Sequence, residues 1–354
     1  MSYEATAGRL RIPPDTRRLI AQLQARAQRA VLLSLPSGEP RHYLYDILPN
    51  YPVRSGKGLR PVLCLAACQA YGGSYEAALP FAAAIELLHN AFLVHDDIQD
   101  GSSERRGRPA LHVEYGMPLA LNAGDALASV ASAAAVRAAR DLPAPVATAV
   151  LEGWERMTLE TIEGQALDLG WQRDGVTDLT ELDYLAMCGK KTAWYTTIEP
   201  LAMGAVIGSA APWREAETFD FGWLLGLLFQ LANDIDGLRA PPGMNDIDEG
   251  KRTLVLIHLL GAIEGEARAE VVRIMELPRG ERSDDQVAFV LGEMERAGSV
   301  DYARDCLLEL AAAAWRSADE TFGPLPPGPG RDILLASTSY VFERSGLASW
   351  ATWR

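Results

Sequence analysis

The 354-residue sequence predicts an all-α fold in a single domain. Alanine and leucine dominate, apolar residues recur at spacings of three and four, and the alternating β-branched runs typical of strands are missing. Glycine- and proline-rich stretches interrupt this pattern only briefly, and none is long enough to require a domain boundary. We therefore expect one domain over 1–354, with an N-terminal helical extension over 1–40 and a Pro/Gly-rich turn over 323–331 before the last helix.

The individual helices follow from apolar periodicity and from the stretches that break it. Breaks are expected at "LPSGEP" (35–40), "YGGS" (71–74), "APPG" (240–243) and "GPLPPGPG" (323–330). Pro61 stands just inside one predicted helix, and two glycines follow its end, which is the usual asymmetry of helix termini. In chain order the predicted helices cover residues 16–34, 60–71, 75–100, 117–140, 143–169, 178–188, 192–209, 214–236, 252–261, 264–277, 284–296, 299–320 and 330–344.

Composition excludes some classes of function. With 48% hydrophobic residues the chain can bury a large core, and its net charge of −14 gives a sequence pI near 4.9. Non-specific binding to nucleic acid needs a basic face, so no nucleic-acid partner is expected. A small anionic substrate remains compatible, because a site can be locally positive or can carry metal ions.

Cysteine usage and hydropathy indicate a cytoplasmic protein without stable membrane insertion. The four cysteines (Cys64, Cys68, Cys188, Cys306) are scattered, which favours buried thiols in a reducing compartment over disulfides or a zinc site. The N-terminal segment has arginines but no apolar signal core behind them. The best candidate for a membrane span, 119–139, is interrupted by polar and charged residues.

The strongest chemical signal is the stretch "HDDIQD" (95–100). On a helix, His89, Asp96 and Asp100 lie within about 20° of one line, because successive residues advance by about 100°. Two carboxylates one turn apart repel each other unless a cation lies between them, and an all-oxygen ligand set suits Mg²⁺. The alternative is a solvated acidic helix end, but the apolar "LLHNAFLV" before the motif indicates a buried helix.

Basic residues follow immediately in "RRGRP" (105–109). Arg105 and Arg106 could bind the oxygens of a polyphosphate beside a metal, although a solvated basic loop would look the same. "SGKGLRP" (55–61) places Lys57 and Arg60 in a glycine-rich turn before a helix, where small residues let the backbone approach an anion. "DIDEGKRTL" (246–254) adds Lys251. The last two signals are weak in isolation.

Taken together and in order, these motifs resemble the trans-prenyl diphosphate synthases. The resemblance runs from about residue 44 to residue 344 and includes "GKGLRP", "HDDIQD", "RRGRP", "NAGDAL" (122–127), "EGQALDL" (163–169), "KKTAWYT" (190–196), "FQLANDIDG" (229–237) and "DEGKRTL" (248–254). It implies a bundle of long antiparallel helices around a deep central cavity, usually a homodimer. It also implies Mg²⁺-dependent elongation of an allylic diphosphate by isopentenyl diphosphate, with two to three metal ions that Mn²⁺ could replace.

The resemblance also implies roles for individual residues. On the allylic side, it gives Asp96 and Asp100 as Mg²⁺ ligands, Asp97 as their support and Arg105 as a diphosphate contact. On the other side, it gives Lys57, Arg60, His89 and Arg106 to the diphosphate of isopentenyl diphosphate. Further residues assigned to the allylic substrate, its leaving group or the metal cluster are Gln165, Lys191, Thr192, Lys251, Asp168, Gln230 and Asp234. For His89 the alternative is an ordinary buried core histidine.

The second aspartate-rich motif departs from the family pattern. Asn233 stands where the family has its leading acid, and Gly237 stands where it has the trailing one. Asp236 lies about 100° or more from the face of the other motif residues and is not expected to compensate. An amide oxygen can coordinate Mg²⁺ but brings no charge, so we expect weaker metal binding at this end.

This departure leaves two alternatives to chain elongation. One is a class I terpene cyclase or lyase that acts on a single allylic diphosphate, and the other is a regulatory subunit of a heteromeric synthase. A cyclase has no need for the residues of an isopentenyl diphosphate site, and a regulatory subunit has no need for Asp96 and Asp100. All of them are present, which favours elongation.

Product length is a separate inference. A bulky residue one turn before Asp96 would form the floor beneath the growing chain, and Phe92 occupies that position, with the small Ala91 beside it. We expect a fifteen- or twenty-carbon product. Phe92 could equally be an ordinary core residue.

Overall fold

The computed structural model describes residues 10–54, 56, 58–240 and 245–344 and is helical almost throughout. The α-helices are α1 (Pro14–Ser34), α2 (Leu59–Ala70), α3 (Tyr75–Gln99), α4 (Leu111–Tyr115), α5 (Met117–Ala139), α6 (Ala144–Arg173), α7 (Glu181–Cys188), α8 (Glu199–Ser209), α9 (Phe219–Gly237), α10 (Asp246–Glu249), α11 (Leu254–Ala262), α12 (Gly265–Met275), α13 (Asp284–Arg296), α14 (Ser299–Phe322) and α15 (Pro329–Arg344). The all-α prediction is confirmed.

Short elements that the sequence did not predict connect these helices. A π-helical turn covers Arg41–Tyr45, 3₁₀ turns cover Pro52–Arg54 and Pro212–Thr218, and strands β1 (Glu104–Arg105) and β2 (Arg108–Pro109) form a two-stranded antiparallel ribbon. Between α7 and α8 the chain continues as a π-helical segment, Gly189–Ile198.

The long helices pack around α3, which carries an almost unbroken run of buried residues. It lies along α5 and α2, and α2 in turn packs against α8 and α15. On the other side of the bundle, α9 packs between the π-helical segment and α14. Because α3, α6, the π-helical segment and α9 each carry residues of the predicted site, this packing decides which of those residues meet.

The N-terminal helix is part of this core. Its buried residues recur at intervals of three and four (Thr16, Ile20, Leu23, Ala27 and Val31), and this stripe faces α3. An amphipathic helix is stabilised mainly by packing its apolar stripe in this way. The described helix of the extension expected over 1–40, Pro14–Ser34, therefore contacts the bundle directly.

Two helices are long and apolar enough to pass for membrane spans. These are α3, with 72% of its most apolar window buried, and α5, with 39% of that window buried. Burial identifies α3 as a core helix, since the core helices of soluble proteins meet the same criterion. The outer face of α5 stays uncovered in the isolated chain. All four cysteines are free thiols, as expected, although only three of them are buried.

Candidate active site

The first acidic motif lies at the C-terminal end of α3. The helix ends at Gln99, and Asp100 caps it, so both outer acids of the motif stand at the open end of a buried helix. The Asp96 side chain is 30% exposed, and Asp100 is buried. Burial and the nearby Asp96 carboxylate raise the pKa of Asp100 to about 7. Two acids held this close in a dry environment favour a cation between them.

Asp97 faces the opposite way, into the protein. Its carboxylate accepts hydrogen bonds from the Tyr51 hydroxyl and from the Arg105 guanidinium, whose Nε lies 2.9 and 3.1 Å from the two carboxylate oxygens. Arg105 also lies 3.6 Å from Asp96. Asp97 thus holds Arg105 beside the outer acids, which is compatible with the supporting role expected for it.

The arginines after the motif form a hairpin. Arg105 pairs with Arg108 across the ribbon, and the two residues between them, Arg106 and Gly107, both have positive φ, 55° and 74°. This is the geometry of a type I′ turn, in which glycine avoids the steric cost of a side chain. Arg54, which the sequence analysis did not single out, donates to the backbone oxygens of Arg105 and Pro109 and holds the ribbon in place.

A second, basic group lies about two to three turns deeper along α3. His89 is buried, and its pKa lies well below the ordinary value because of burial and the nearby guanidiniums of Arg60 and Arg106. Arg60 donates to Thr196 and lies 4.1 Å over the ring of Tyr195. Three of the four residues expected for isopentenyl diphosphate are therefore close together. The fourth, Lys57, lies outside the described residues.

This basic group contains polar atoms without protein partners. Arg60 Nε, His89 Nδ1 and an oxygen of Glu86 are buried and make no hydrogen bond within the described part of the chain. Glu86, another residue that the motifs did not reveal, is fully buried and electrostatically coupled to Arg60 and Arg106. Buried polar groups are nearly always satisfied, so these atoms indicate a position for a polar ligand.

The π-helical segment brings Lys191 and Thr192 to the site. Lys191 Nζ lies 2.5 Å from the carboxylate of Asp168. Burial opposes the lysine charge, but Asp168 and Asp96 raise its pKa above the ordinary value. Gly164 makes this approach possible, because a Cβ there would lie 2.7 Å from the carbonyl carbon of Lys190. Mid-helix π geometry often occurs at functional sites, where it redirects side chains.

The second acidic motif is held by a chain of hydrogen bonds. Thr192 donates to Gln230 (2.6 Å), Gln230 donates to Asp234 (2.6 Å), and the Tyr184 hydroxyl donates to the other oxygen of Asp234 (2.6 Å). Burial and the neighbouring Asp246 raise the pKa of Asp234 to about 7. These hydrogen bonds fix the orientation of the Asp234 carboxylate, which the motif retains.

The residues of this motif that depart from the family pattern differ in their exposure and in their contacts. Asn233 is partly exposed on the same face as Asp234, whereas Asp236 is exposed on the outer side, as its angular position predicted. Gly237 packs against Asp246, a residue that the sequence analysis did not consider. Asp246 accepts from Lys251 at 3.1 Å, and Lys251 also lies 2.5 Å from Glu249.

Contacts from other elements join the first acidic motif to α6 and α10. Gln165 donates to Gln99 (2.7 Å) and, more weakly, to Asp96 (3.4 Å), and Arg279 bridges Asp100 (3.8 Å) and Glu249 (3.1 Å). The structure thus collects at one end of the bundle every predicted acidic-site residue: Asp96, Asp97, Asp100, Arg105, Gln165, Asp168, Lys191, Thr192, Gln230, Asn233, Asp234 and Lys251.

This acid set suits a hard divalent cation. In the described residues no three acidic, imidazole or thiolate side chains close around a single point. Mg²⁺ does not require such a cage, because it keeps several waters and is usually held by one or two carboxylates together with substrate phosphates. Asp96, Asp100, Asp234 and Asp168 would hold such ions, with the amide oxygen of Asn233 as a neutral donor.

Phe92 lies between the two groups and contacts the π-helical segment. Its ring makes an edge-on contact with Tyr195, with the ring centroids 5.6 Å apart. Ala91 beside it is fully buried, and Phe92 itself is partly exposed. Two hollows of about 670 and 400 Å³ lie elsewhere, in the groove between α9 and α14, and contain none of the predicted site residues.

Comparison with known proteins gives a consistent match. A family model described as polyprenyl synthetase matches residues 41–294. The short chain isoprenyl diphosphate synthase of Methanothermobacter thermautotrophicus is 34% identical over 319 residues, covering 86% of this chain and 94% of that protein. The geranylgeranyl pyrophosphate synthetase of Pyrococcus horikoshii superposes with a TM-score of 0.80 at 28% identity, covering 93% of this chain and 99% of that one. A polyprenyl synthase from Caulobacter crescentus, in complex with calcium and isoprenyl diphosphate, gives 0.78 at 26% identity, covering 92% and 96%.

Proposed function

Because the chain belongs to the polyprenyl synthetase family, we propose that it condenses an allylic diphosphate with isopentenyl diphosphate to a short-chain trans-prenyl diphosphate. One observation carries this proposal. Along α3 lie two different sites for a diphosphate: the acids at its end, which would bind it through metal ions, and the buried His89 with Arg60 and Arg106, about two to three turns deeper. A condensation of two diphosphates needs both groups.

The reaction begins with the loss of diphosphate from an allylic carbon. The acids would hold two to three Mg²⁺ ions, or Mn²⁺ in their place, and these ions would supply positive charge that neutralises the departing diphosphate. Arg105, Lys191 and Lys251 add fixed positive charge that needs no reorganisation when the bond breaks. Thr192 and Gln230 orient Asp234, and Gln165 orients Asp96.

The second substrate is held by the basic group. Arg60, Arg106 and the neutral His89 bind its diphosphate, with Lys57 from the glycine-rich turn, so that its alkene meets the allylic cation before water does. The buried Glu86 carboxyl lies near enough to both arginines to interact with their charge. The proton released in the final step passes to the departed diphosphate, and no nucleophilic side chain is required.

The basic group also separates elongation from the other candidate functions. A cyclase acts on one allylic diphosphate and would leave Arg60, His89 and Arg106 without a ligand. Burying these polar groups together without a ligand costs free energy, so their presence argues against a cyclase. A regulatory subunit would leave the acidic set without purpose. The described residues contain both groups, which favours an enzyme of the elongating type.

Phe92 and Tyr195 would limit product length. Their edge-on contact closes the path beneath Asp96, so that a chain of fifteen or twenty carbons ends against the two rings. The relative from Methanothermobacter thermautotrophicus is named a short chain isoprenyl diphosphate synthase, which supports this range of product lengths.

The test incubates the purified protein and Mg²⁺ with each allylic diphosphate, with and without isopentenyl diphosphate, and identifies the products by mass spectrometry. A longer diphosphate formed only when both substrates are present is the expected result. A hydrocarbon or alcohol formed from the allylic diphosphate alone would replace the proposal by the cyclase. No turnover unless a partner synthase is added would replace it by the regulatory subunit.

The chain further acts as one domain in a cytoplasmic homodimer. α4, α5 and α6 leave apolar side chains exposed on neighbouring outer faces, each between 47% and 55% accessible: Val113, Met117, Leu121, Val136, Leu159 and Ile162. Exposed apolar patches of this kind mark association surfaces. Light scattering should give twice the chain mass, and Leu159→Glu should halve it, whereas Leu182→Glu, at a site 77% exposed on α7, should leave it unchanged.

A further inference from the structure

Gly237 ends α9 one turn after Asn233 and Asp234, and a side chain there would have to displace that of Asp246. A Cβ on Gly237 would lie 2.7 Å from Cγ and 2.8 Å from Oδ1 of Asp246, with Oδ2 closer still. Such distances are far below van der Waals contact. The Asp246 carboxylate therefore occupies the space into which a residue at position 237 would project.

Asp246 is held firmly and still has a free oxygen. The Asn245 side chain caps α10 by accepting from the backbone of Ile247 and Asp248, and the Lys251 backbone N–H donates to the Asp246 carbonyl at 3.0 Å. Oδ1 accepts from Lys251 Nζ. Oδ2 is buried and has no hydrogen-bond partner in the part of the chain that the structure describes. The residue as a whole is only 6% exposed.

The surroundings of this oxygen are acidic. Asp246 and Asp234 are close enough that each contributes to the electrostatics of the α9 site, and Asp168 and Glu249 also act on Asp246. Lys251 pairs with Asp246 and Glu249, Lys191 with Asp168 and Arg279 with Glu249, so these cations offset part of the charge. A buried carboxylate oxygen without a donor and among other acids favours the approach of a cation.

We infer that Asp246 supplies, from the turn that follows α9, the carboxylate that position 237 lacks, and that it completes the second metal-binding face with Asn233 and Asp234. The inference rests on the proposed function and deepens it. It also explains the glycine. Position 237 has to stay empty because the carboxylate from α10 uses its space, so the altered motif is a rearrangement of ligands.

The first test measures metal binding directly. Full-length protein is titrated with Mn²⁺ in the presence of inorganic pyrophosphate, and bound ions are counted by electron paramagnetic resonance. Asp246→Asn should weaken the most weakly held ion about 10- to 100-fold, the range found when a conserved partner of a metal site is lost. Asp236→Asn removes the same charge one residue before Gly237, on the exposed side, and should bind as wild type.

The second test moves the carboxylate without removing it. Gly237→Ala keeps every acid but displaces Asp246, and should weaken Mn²⁺ binding. Gly237→Asp restores the family pattern and adds a charge, yet should also weaken binding, whereas Asn233→Asp should strengthen it. Circular dichroism without metal shows which variants fold. If Asp246→Asn does not fold, Gly237→Ala decides the question.

The inference is overturned if Asp246→Asn binds Mn²⁺ as wild type, or if Gly237→Asp binds it more tightly. Failure of the proposed function looks different. Wild-type protein would then bind Mn²⁺ and pyrophosphate but would not convert the two substrates into a longer diphosphate. The difference in Mn²⁺ affinity between Asp246→Asn and Asp236→Asn would still test the role of Asp246.

Discussion

Asp97→Asn tests whether the middle acid of the first motif anchors Arg105 or binds metal. The Asp97 side chain is 1% exposed, and its oxygens are occupied by the Tyr51 hydroxyl and by the Arg105 guanidinium. Asparagine keeps the shape but removes the charge and leaves the guanidinium with Asp96, 3.6 Å away, as its remaining acid. We expect the substitution to lower stability and to leave the metal sites nearly intact.

The magnitude follows from burial. Removing one partner of a buried ion pair costs about 3 to 5 kcal/mol. The Arg105 side chain is 28% exposed and keeps a second acid nearby, so the cost should be about 2 to 3 kcal/mol. An unfolding entropy of about 2.1 cal/mol/K per residue gives about 0.7 kcal/mol/K for the chain, so Tm should fall by about 3 to 4 °C.

Thermal unfolding and Mn²⁺ titration together check this expectation. Tyr51→Phe removes one neutral donor from the same carboxylate and should cost about 1 kcal/mol, with the pair intact. For Asp97→Asn the KM of the allylic diphosphate should rise, since Arg105 loses its anchor. An unchanged Tm combined with a large loss of Mn²⁺ affinity would refute the reasoning, because Asp97 would then be a ligand.

Three further outcomes are expected. Phe92→Ala should lengthen the product in a chain-length assay; an unchanged length would remove this residue from the floor. The pKa of His89 is depressed in the folded protein, so below about pH 6.5 the unfolded chain binds a proton that the folded chain does not. The free energy of unfolding therefore decreases as the pH decreases. His89→Gln should therefore lose less Tm than wild type between about pH 7 and pH 5, and equal losses would contradict this reasoning. Gly164→Ala, against the π-helical segment, should cost about 1 to 3 kcal/mol and lower turnover. Gly170→Ala, at an open position of the same helix, should gain up to about 1 kcal/mol, and equal effects at both positions would contradict the packing argument.

Periodicity and motif order were sufficient for the helices and for most of the site. Helix α3 could be located because its apolar run and its terminal acids are local features of the sequence. The pairing of Asp96 with Asp100 follows from one helical turn, and so does the outward position of Asp236. These are short-range consequences of backbone geometry, which a sequence contains in full.

Features that depend on contact between distant segments could not be predicted. Arg54 holds the ribbon through backbone oxygens fifty residues away, and carbonyl groups leave no trace in a sequence pattern. The π-helical segment reads as an ordinary helix, since its widening depends on the close approach of α6 at Gly164. Asp246 was missed for a similar reason. Its relation to Gly237 is spatial, and the only signal was that a glycine stood where an acid was expected.

The ion pairs of Lys191 and Lys251 have a consequence for the stability of the protein without metal ions. Lys191 lies against Asp168, and Lys251 lies against Asp246 and Glu249, so internal ammonium groups already offset part of the negative charge at these positions. The protein should thus remain folded in a chelating buffer. With metal ions and a diphosphate bound, the acids would hold the ions, and the ammonium groups of Lys191 and Lys251 would bind phosphoryl oxygens. The same two side chains would thus stabilise the acids in the free protein and the leaving group during the reaction.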